Sequence, residues 1–298
     1  MKLLPSLKQL EYLTALAETR HFGKAAELCR VTPSTLSAGI RELEDLLGVA
    51  LAERTKRVVV MTDLGLKIAE RARGVIRDAE DIMGLAQAQR GPMTGEIKLG
   101  VIPTVGPFVL PGVLPALHDR YPALKLYLRE DQTTRLLERL RDGDLDAALI
   151  ALPFDTDGLE TRVLFDDGFV FACPEGHPLA KARAVTDDDL ARQPLLLLEE
   201  GHCLRGHALE VCRLASASDR VQFEATSLHT LVQMVAAGLG ATLLPEMAVA
   251  GGLTRGTGVA TVPLAEPASR RIGLVWRKAT ARAEAFELLA DAFAAAKS

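Results

Sequence analysis

The feature that most constrains this chain is a change of hydrophobic rhythm at Gly91-Pro92-Met93-Thr94-Gly95. Before that stretch, apolar residues recur three and four positions apart, the spacing of helices that bury one face. After it, short apolar runs alternate with helical segments. One chain therefore builds two architectures, a helical head and an α/β body, joined by a Gly/Pro linker. Its 298 residues suffice for two or three domains, with no staple needed to hold a core.

Residues 7–62 read as three helices and a hairpin. Leu7, Leu10, Leu13 and Leu16-Ala17 recur at helical spacing. A second short helix follows Gly23, with Ala25, Ala26, Leu28 and Cys29 expected to face inward, and Arg30-Val31 makes a turn. The third helix opens with Thr32 as N-cap and Pro33 at the first helical position, where a missing N–H costs nothing. Its apolar stripe is Leu36, Ile40, Leu43 and Leu47, and it stops before Gly48. Two strands around Arg54-Thr55-Lys56-Arg57 would then form a basic wing.

That arrangement is a winged helix-turn-helix. DNA reading requires small or polar side chains at the start of the second helix of the motif, where they reach base edges in the major groove. Ser34, Thr35, Ser37 and Arg41 supply such a face. Arg54, Lys56 and Arg57, with Lys24 and Arg30, are placed for phosphate, which sets register without reading sequence. A plain three-helix subdomain with a solvated polar face would show the same periodicity. The whole-chain charge of -4 looks wrong for a DNA binder, but residues 1–90 carry +2 and the rest -6, mild support for the DNA reading.

Residues 63–90 read as one long helix. Ile68, Ala72, Val75, Ala79, Ile82 and Ala86 alternate four and three apart, a heptad seam that implies a dimer. Beyond the linker, strands and helices alternate over residues 96–102, 108–121, 124–130, 133–142 and 146–152, the rhythm of a parallel sheet covered on both faces. A second set of strands is expected near 169–173, 195–198, 221–225, 241–244 and 259–262, then a late strand 272–276 and a final helix 283–296. Two α/β lobes result, with the chain crossing out near Asp166 and returning near Arg270. A cleft between lobes is the usual place for a ligand.

The segment from Leu10 to Thr62 closely resembles the LysR-type regulators. The resemblance is carried by His21-Phe22-Gly23-Lys24-Ala25-Ala26, Leu36-Ser37, Ile40-Arg41-Glu42-Leu43-Glu44, Leu47-Gly48-Val49 and Glu53-Arg54. It implies a head, a linker helix and a two-lobed regulatory domain like periplasmic binding proteins. The boundaries expected are 1–62 for the head, 63–91 for the linker and dimerisation helix, and 92–298 for the regulatory domain. Lobe I would comprise 92–166 and 270–298, and lobe II 167–269. One departure is present: where the family opens its recognition helix with Ser-Gln-Pro, this chain has Thr32-Pro33-Ser34. Groove docking is implied, while base preference is not fixed.

Met1-Lys2-Leu3-Leu4-Pro5 reaches proline and then charge before any apolar stretch develops, so no export signal is expected and the cytoplasm is the expected compartment. The apolar run 231–244 is too short and too polar to span a membrane. In a reducing compartment, Cys29, Cys173, Cys203 and Cys212 are buried or reactive thiols rather than structural disulfides. Cys29 and Cys173 fall on apolar faces and read as packing. Cys203 sits where an apolar strand and Glu199-Glu200 give way to a helix. A helix N-terminus, Arg205 and a protonated His202 would all favour its thiolate. Cys212 follows nine positions later, and on a continuous helix nine residues rise about 13.5 Å and turn about 900°, placing the two cysteines on opposite faces. A disulfide tolerates Cα separations only to about 7 Å, so pairing and an intact helix are incompatible. Two unrelated core cysteines fit the residues as well, and Cys203 with His207 and His202 leaves a metal site open.

Gly201-His202-Cys203-Leu204-Arg205 with Cys212 resembles the peroxide-sensing, OxyR-like branch of the same family. Ile102-Pro103-Thr104-Val105-Gly106-Pro107, Gln132-Thr133 and Ala225-Thr226-Ser227-Leu228 match that branch too. The resemblance implies that Cys203 reacts with peroxide and Cys212 resolves it to a disulfide. It further implies that Thr104, Thr133, His202 and Arg205 hold the peroxide and its water, and that Arg270 lies near the reactive thiol. The implied partners are promoter half-sites in double-stranded DNA, a second copy in a homodimer or homotetramer, hydrogen peroxide as signal, RNA polymerase, and a glutaredoxin- or thioredoxin-like reductant. No cofactor, metal, membrane or enzymatic role is expected. From the residues alone, Thr104 and Thr133 follow parallel strands, where ligands gather, but ordinary loop or N-cap threonines look the same. The other readings are a regulator answering a small metabolite in the cleft, a thiol peroxidase, and a solute-binding protein; the last two have no use for residues 7–90.

Overall fold

The structure is a computed structural model that describes residues 3–54, 59–88, 91–201, 204–206 and 224–295. The chain divides into two compact units, Met1–Ala86 and Gln87–Ser298.

The first unit opens with α1 (Leu7–Thr19), α2 (Phe22–Leu28) and α3 (Pro33–Leu47), followed by strands β1 (Ala52–Arg54) and β2 (Val59–Met61). Thr32 caps α3, its side chain accepting from the Thr35 N–H, with Pro33 in the first turn as expected. Leu13, Leu16, Leu36, Ile40 and Leu43 are fully buried together. Helices α1 and α3 approach closely because Gly39 has no side chain: a Cβ there would lie 2.6 Å from Tyr12 Cδ2. The wing strands pair antiparallel, Ala52 opposite Met61. Glu44 fastens the wing to α3, one carboxylate oxygen accepting from the N–H groups of Leu51 (2.8 Å) and Ala52 (3.2 Å).

One inward assignment does not hold and another holds only in part. Leu28 is 59% exposed, and Cys29, at the helix C-cap, is half-buried and packs against the edge of the core rather than within it. Helix α2 has only seven residues, and Leu28 lies about 200° around it from the buried Ala26. Leu7 and Leu47, at the ends of their helices, are also exposed.

Helix α4 (Asp63–Ala88) follows. Ala69 and Ala72 of α4 are buried, whereas Val75 and Ile82 of the heptad seam stand 49% and 66% exposed, an apolar stripe without cover in a single chain.

In the second unit, β3 (Gly95–Val101), α5 (Gly106–Arg120), β4 (Leu124–Glu130), α6 (Thr133–Asp142) and β5 (Ala147–Leu152) form two crossovers. The rest comprises β6 (Leu159–Pro174), α7 (Asp187–Ala191), β7 (Leu197–Leu198), β8 (Glu224–Ala225), α8 (Leu228–Ala236), β9 (Thr242–Pro245), α9 (Glu246–Ala250), β10 (Val259–Pro263), β11 (Ser269–Arg277) and α10 (Ala283–Ala295). The sheet runs β10-β6-β11-β5-β3-β4, with β9 also on β6. Within this sheet β3 pairs parallel with β4 and β5, whereas β11 lies antiparallel to both β5 and β6, so the sheet is mixed; β7 and β8 form a separate parallel pair.

Strand β6 is longer than its apolar run 169–173 suggests. Its first part pairs with β11, and its last with β9 and β10. The two strands β6 and β11 thus carry the chain between two hydrophobic cores. One core gathers Ile97, Leu149, Trp276, Phe286 and Phe293, and the other Phe171, Leu196, Val235 and Leu244. Among the described residues, no helix is long and apolar enough to cross a membrane.

Candidate functional site

In the head, Ser34, Thr35 and Arg41 are exposed on α3, and Ser37 is half-buried beside them. The first two hydroxyls are not idle: Ser34 and Thr35 each lie 2.8 Å from the Thr32 hydroxyl that caps the helix. Pro33 puts a ring in the first turn. Arg30 is exposed in the turn before α3 with a left-handed backbone, φ 54°. Arg54 ends β1; its side chain, and all of Lys56 and Arg57, lie outside the described residues.

In the second unit, β3 and β4 run parallel with Val101 opposite Glu130. Each chain then continues three residues, to Thr104 and to Thr133, so both threonines stand beyond the same carboxyl edge of the sheet, where open α/β sheets gather ligands. Both are buried, at 2% and 1% exposure. Thr133 begins α6, and its hydroxyl is fully buried with no hydrogen-bond partner among the described residues. Buried hydroxyls are almost always bonded, so this one has hydrogen-bonding capacity to spare, as does the buried Thr161 hydroxyl.

Arg270 is fully buried and bonded on every side. Its Nε and Nη2 reach Asp167 Oδ2 at 3.0 and 2.9 Å. Nη1 donates to the Thr104 hydroxyl at 2.9 Å, and Nη2 to the Thr104 carbonyl at 2.9 Å. Asp167, itself fully buried, accepts from the Met247 N–H with its other oxygen at 3.0 Å. The cluster joins the loop after β3, the crossing strands β6 and β11, and the start of α9. A charge buried this deeply is tolerable only with its counter-charge and hydrogen bonds in place.

Gln132, just before α6, reaches the segment that precedes the cysteine motif. Its Nε2 donates to the Glu200 carbonyl at 3.4 Å. Gly201 has φ 94°, a left-handed backbone that favours glycine, and a Cβ there would lie 2.4 Å from Gln132 Oε1, displacing that side chain's amide. Arg205 donates to the Leu198 carbonyl at 3.2 Å and pairs with Glu224 at 2.5 Å, rather than with Thr104, Thr133 or Arg270. His202, Cys203, His207 and Cys212 lie outside the described residues.

Cys29 and Cys173, the two thiols described, are poor nucleophiles. Burial, then the nearby Glu11, pushes the Cys29 thiol up from its ordinary value, and burial alone does so for Cys173.

The structure therefore brings Thr104, Thr133 and Arg270 to one edge, and ties Arg205 elsewhere. Two residues of this neighbourhood carry no role in the sequence reading, Asp167 and Gln132. An acidic pair inside an otherwise β-forming run, Asp166-Asp167, was the available signal for the first.

Comparison with known proteins agrees with both units. Residues 7–66 match the bacterial regulatory helix-turn-helix protein of the lysR family, and residues 90–298 match the LysR substrate binding domain. The chain is 45% identical over 291 residues to the DNA-binding transcriptional dual regulator OxyR of Escherichia coli K12, covering 97% of this chain and 95% of that one. Full-length OxyR of Pseudomonas aeruginosa, solved as a point variant, is similar with TM-score 0.79 and 38% identity, covering 98% of each chain. A cysteine mutant of Corynebacterium glutamicum OxyR with hydrogen peroxide bound is similar with TM-score 0.68 and 36% identity, covering 100% of this chain and 94% of that one. A helix-turn-helix head followed by a two-core α/β body, matched over both parts, places this chain in the LysR family of bacterial transcriptional regulators.

Proposed function

We propose that this chain is a cytoplasmic transcriptional regulator that senses hydrogen peroxide through Cys203 and Cys212 and is not an enzyme. The observation that carries the reading is its similarity, across its whole length, to an OxyR solved with hydrogen peroxide bound. The buried hydroxyl of Thr133, without a partner among the described residues and on the same sheet edge as Thr104, supports it.

In this reading the Cys203 thiolate attacks one oxygen of hydrogen peroxide. The O–O bond breaks, sulfenic acid forms on Cys203, and the other oxygen leaves as hydroxide and takes up a proton to become water. The Cys212 thiolate then attacks the sulfenic sulfur, a second water leaves, and a disulfide joins the two residues. Thr104, Thr133, His202 and Arg205 hold the peroxide and its water, and Arg270, bonded to Asp167 and Thr104, lies beside the reactive thiol. The eight residues between them cannot stay helical once the sulfurs are bonded, so the chemistry becomes a change of shape.

The head, 1–62, docks on double-stranded DNA. Ser34, Thr35, Ser37 and Arg41 face base edges, and Arg54, Lys56 and Arg57 face phosphate. The linker and dimerisation segment 63–91 pairs two copies through the exposed seam of α4, and the regulatory domain 92–298 extends the dimer to a tetramer. Oxidation re-spaces the heads on promoter half-sites and alters contact with RNA polymerase. A glutaredoxin- or thioredoxin-like dithiol slowly reduces the disulfide, becoming a disulfide itself, and resets the switch.

DNA footprinting before and after peroxide tests this. The expected result is a footprint that changes in the native chain and stays fixed in Cys203→Ser. A footprint unaffected by peroxide would instead favour a regulator answering a small metabolite.

A further inference from the structure

Resting on that reading, we propose that Asp167 is a positioning residue for peroxide, acting through Arg270 on the Thr104 hydroxyl. Asp167 and Arg270 are register partners across β6 and β11. Both carboxylate oxygens of Asp167 are held, one by Arg270 Nε and Nη2, the other by the Met247 N–H. The carboxylate therefore cannot swing, and the planar guanidinium it grips cannot rotate. With the fork fixed on Asp167, Arg270 Nη1 points at Thr104 Oγ1, 2.9 Å away.

The consequence falls on a single proton. A hydroxyl that accepts from a guanidinium must direct its own hydrogen elsewhere, which makes Thr104 a donor. A donor is what the reaction needs. As the thiolate sulfur bonds one oxygen and the O–O bond breaks, the electron pair collects on the departing oxygen, and a fixed O–H aimed at that oxygen stabilises it. Asp167 also offsets the charge of Arg270, so its removal has two separable effects. Losing the negative charge leaves the Arg270 charge without its counter-charge. Losing the grip leaves Arg270 and Thr104 misaligned, which slows reaction with peroxide at any pH.

The test compares two reagents on Cys203 in the reduced, full-length chain: hydrogen peroxide, which needs the oriented hydroxyl, and iodoacetamide, which needs only the thiolate. Rates are followed from about pH 5 to about pH 10, to the plateau where the thiol is fully ionised. In Asp167→Asn the peroxide plateau is expected to fall about 10- to 100-fold, while the iodoacetamide plateau stays within about twofold. Thr104→Val should lower the peroxide plateau similarly, and the double variant should be no slower than the worse single variant, because both act through one hydroxyl.

An unchanged peroxide plateau in Asp167→Asn overturns the proposal, as does a parallel fall with both reagents or two defects that multiply. Should Asp167→Asn not fold, Asp167→Glu keeps the buried charge while displacing the carboxylate. A peroxide plateau lowered about threefold or more then supports the proposal, and an unaltered one overturns it. A native chain whose Cys203 reacts with peroxide no faster than a free thiol would sink the peroxide-sensing reading itself. A fast native chain with a fast Asp167→Asn variant sinks only the role of Asp167.

Discussion

Replacing Thr133 with valine should make the protein more stable and less responsive at the same time. The Thr133 hydroxyl is fully buried and has no hydrogen-bond partner among the described residues. Leaving such a group unsatisfied costs about 1–3 kcal/mol, and valine has nearly the same shape without the polar atom. Taking the low end, for the loss of some local packing, Thr133→Val should stabilise the reduced regulatory unit by about 1 kcal/mol. In a unit of this size that corresponds to a rise of about 2–4 °C in Tm. The same hydroxyl is a hydrogen-bond partner for bound peroxide in the proposed function. Losing one oriented polar contact to a reacting oxygen typically slows chemistry about 100-fold, or about 2.7 kcal/mol. Thermal unfolding of the reduced protein and stopped-flow oxidation of Cys203 read the two effects separately. Opposite signs are the signature of a site that sacrifices stability for function. A lowered Tm together with an unchanged oxidation rate would show that the hydroxyl has a structural role and would refute the reasoning.

Other perturbations follow from the packing. Glu44→Ala removes the acceptor for the Leu51 and Ala52 N–H groups, so the head should lose about 1.5–3 kcal/mol in urea unfolding and bind DNA more weakly, with Cys203 reactivity unchanged. Gly39→Ala drives a methyl into the Tyr12 ring and should destabilise the head by about 1–3 kcal/mol; a neutral result would mean that α1 and α3 can separate freely. Burial holds the Cys173 thiol above its ordinary value of 9.0, so the folded state favours the protonated form. Its stabilising effect is complete below the unfolded pKa and is lost as pH rises through the folded one; urea midpoints should fall above about pH 9, and less steeply in Cys173→Ala.

What the sequence made legible was what is local. The Thr32 cap, the Pro33 start and the Leu36, Ile40, Leu43 stripe all lie within one helix, and the structure has them where the periodicity puts them. Strand β4 and helix α6 match their expected limits for the same reason: each is bounded by its own turn residues. The first half of β6 was hidden because Glu160, Thr161, Arg162, Asp166 and Asp167 break its apolar pattern, and only pairing with β11 makes it a strand. Asp167 lies 103 residues from Arg270, so no window of sequence connects them. Gln132 belongs to a matched motif, yet its contact with Glu200 is 68 residues away and passes between the two cores. Leu28 was misplaced because seven residues are too few for periodicity to define a face.

The central claim is that one pair of thiols in this chain carries the response. The most direct measurement is peptide mass spectrometry after brief exposure to near-stoichiometric hydrogen peroxide, with all remaining thiols then alkylated. The account predicts a linked pair of peptides containing Cys203 and Cys212, with Cys29 and Cys173 recovered as alkylated thiols. Recovery of Cys203 as an alkylated thiol, with oxidation at Cys29 or Cys173 instead, would contradict it.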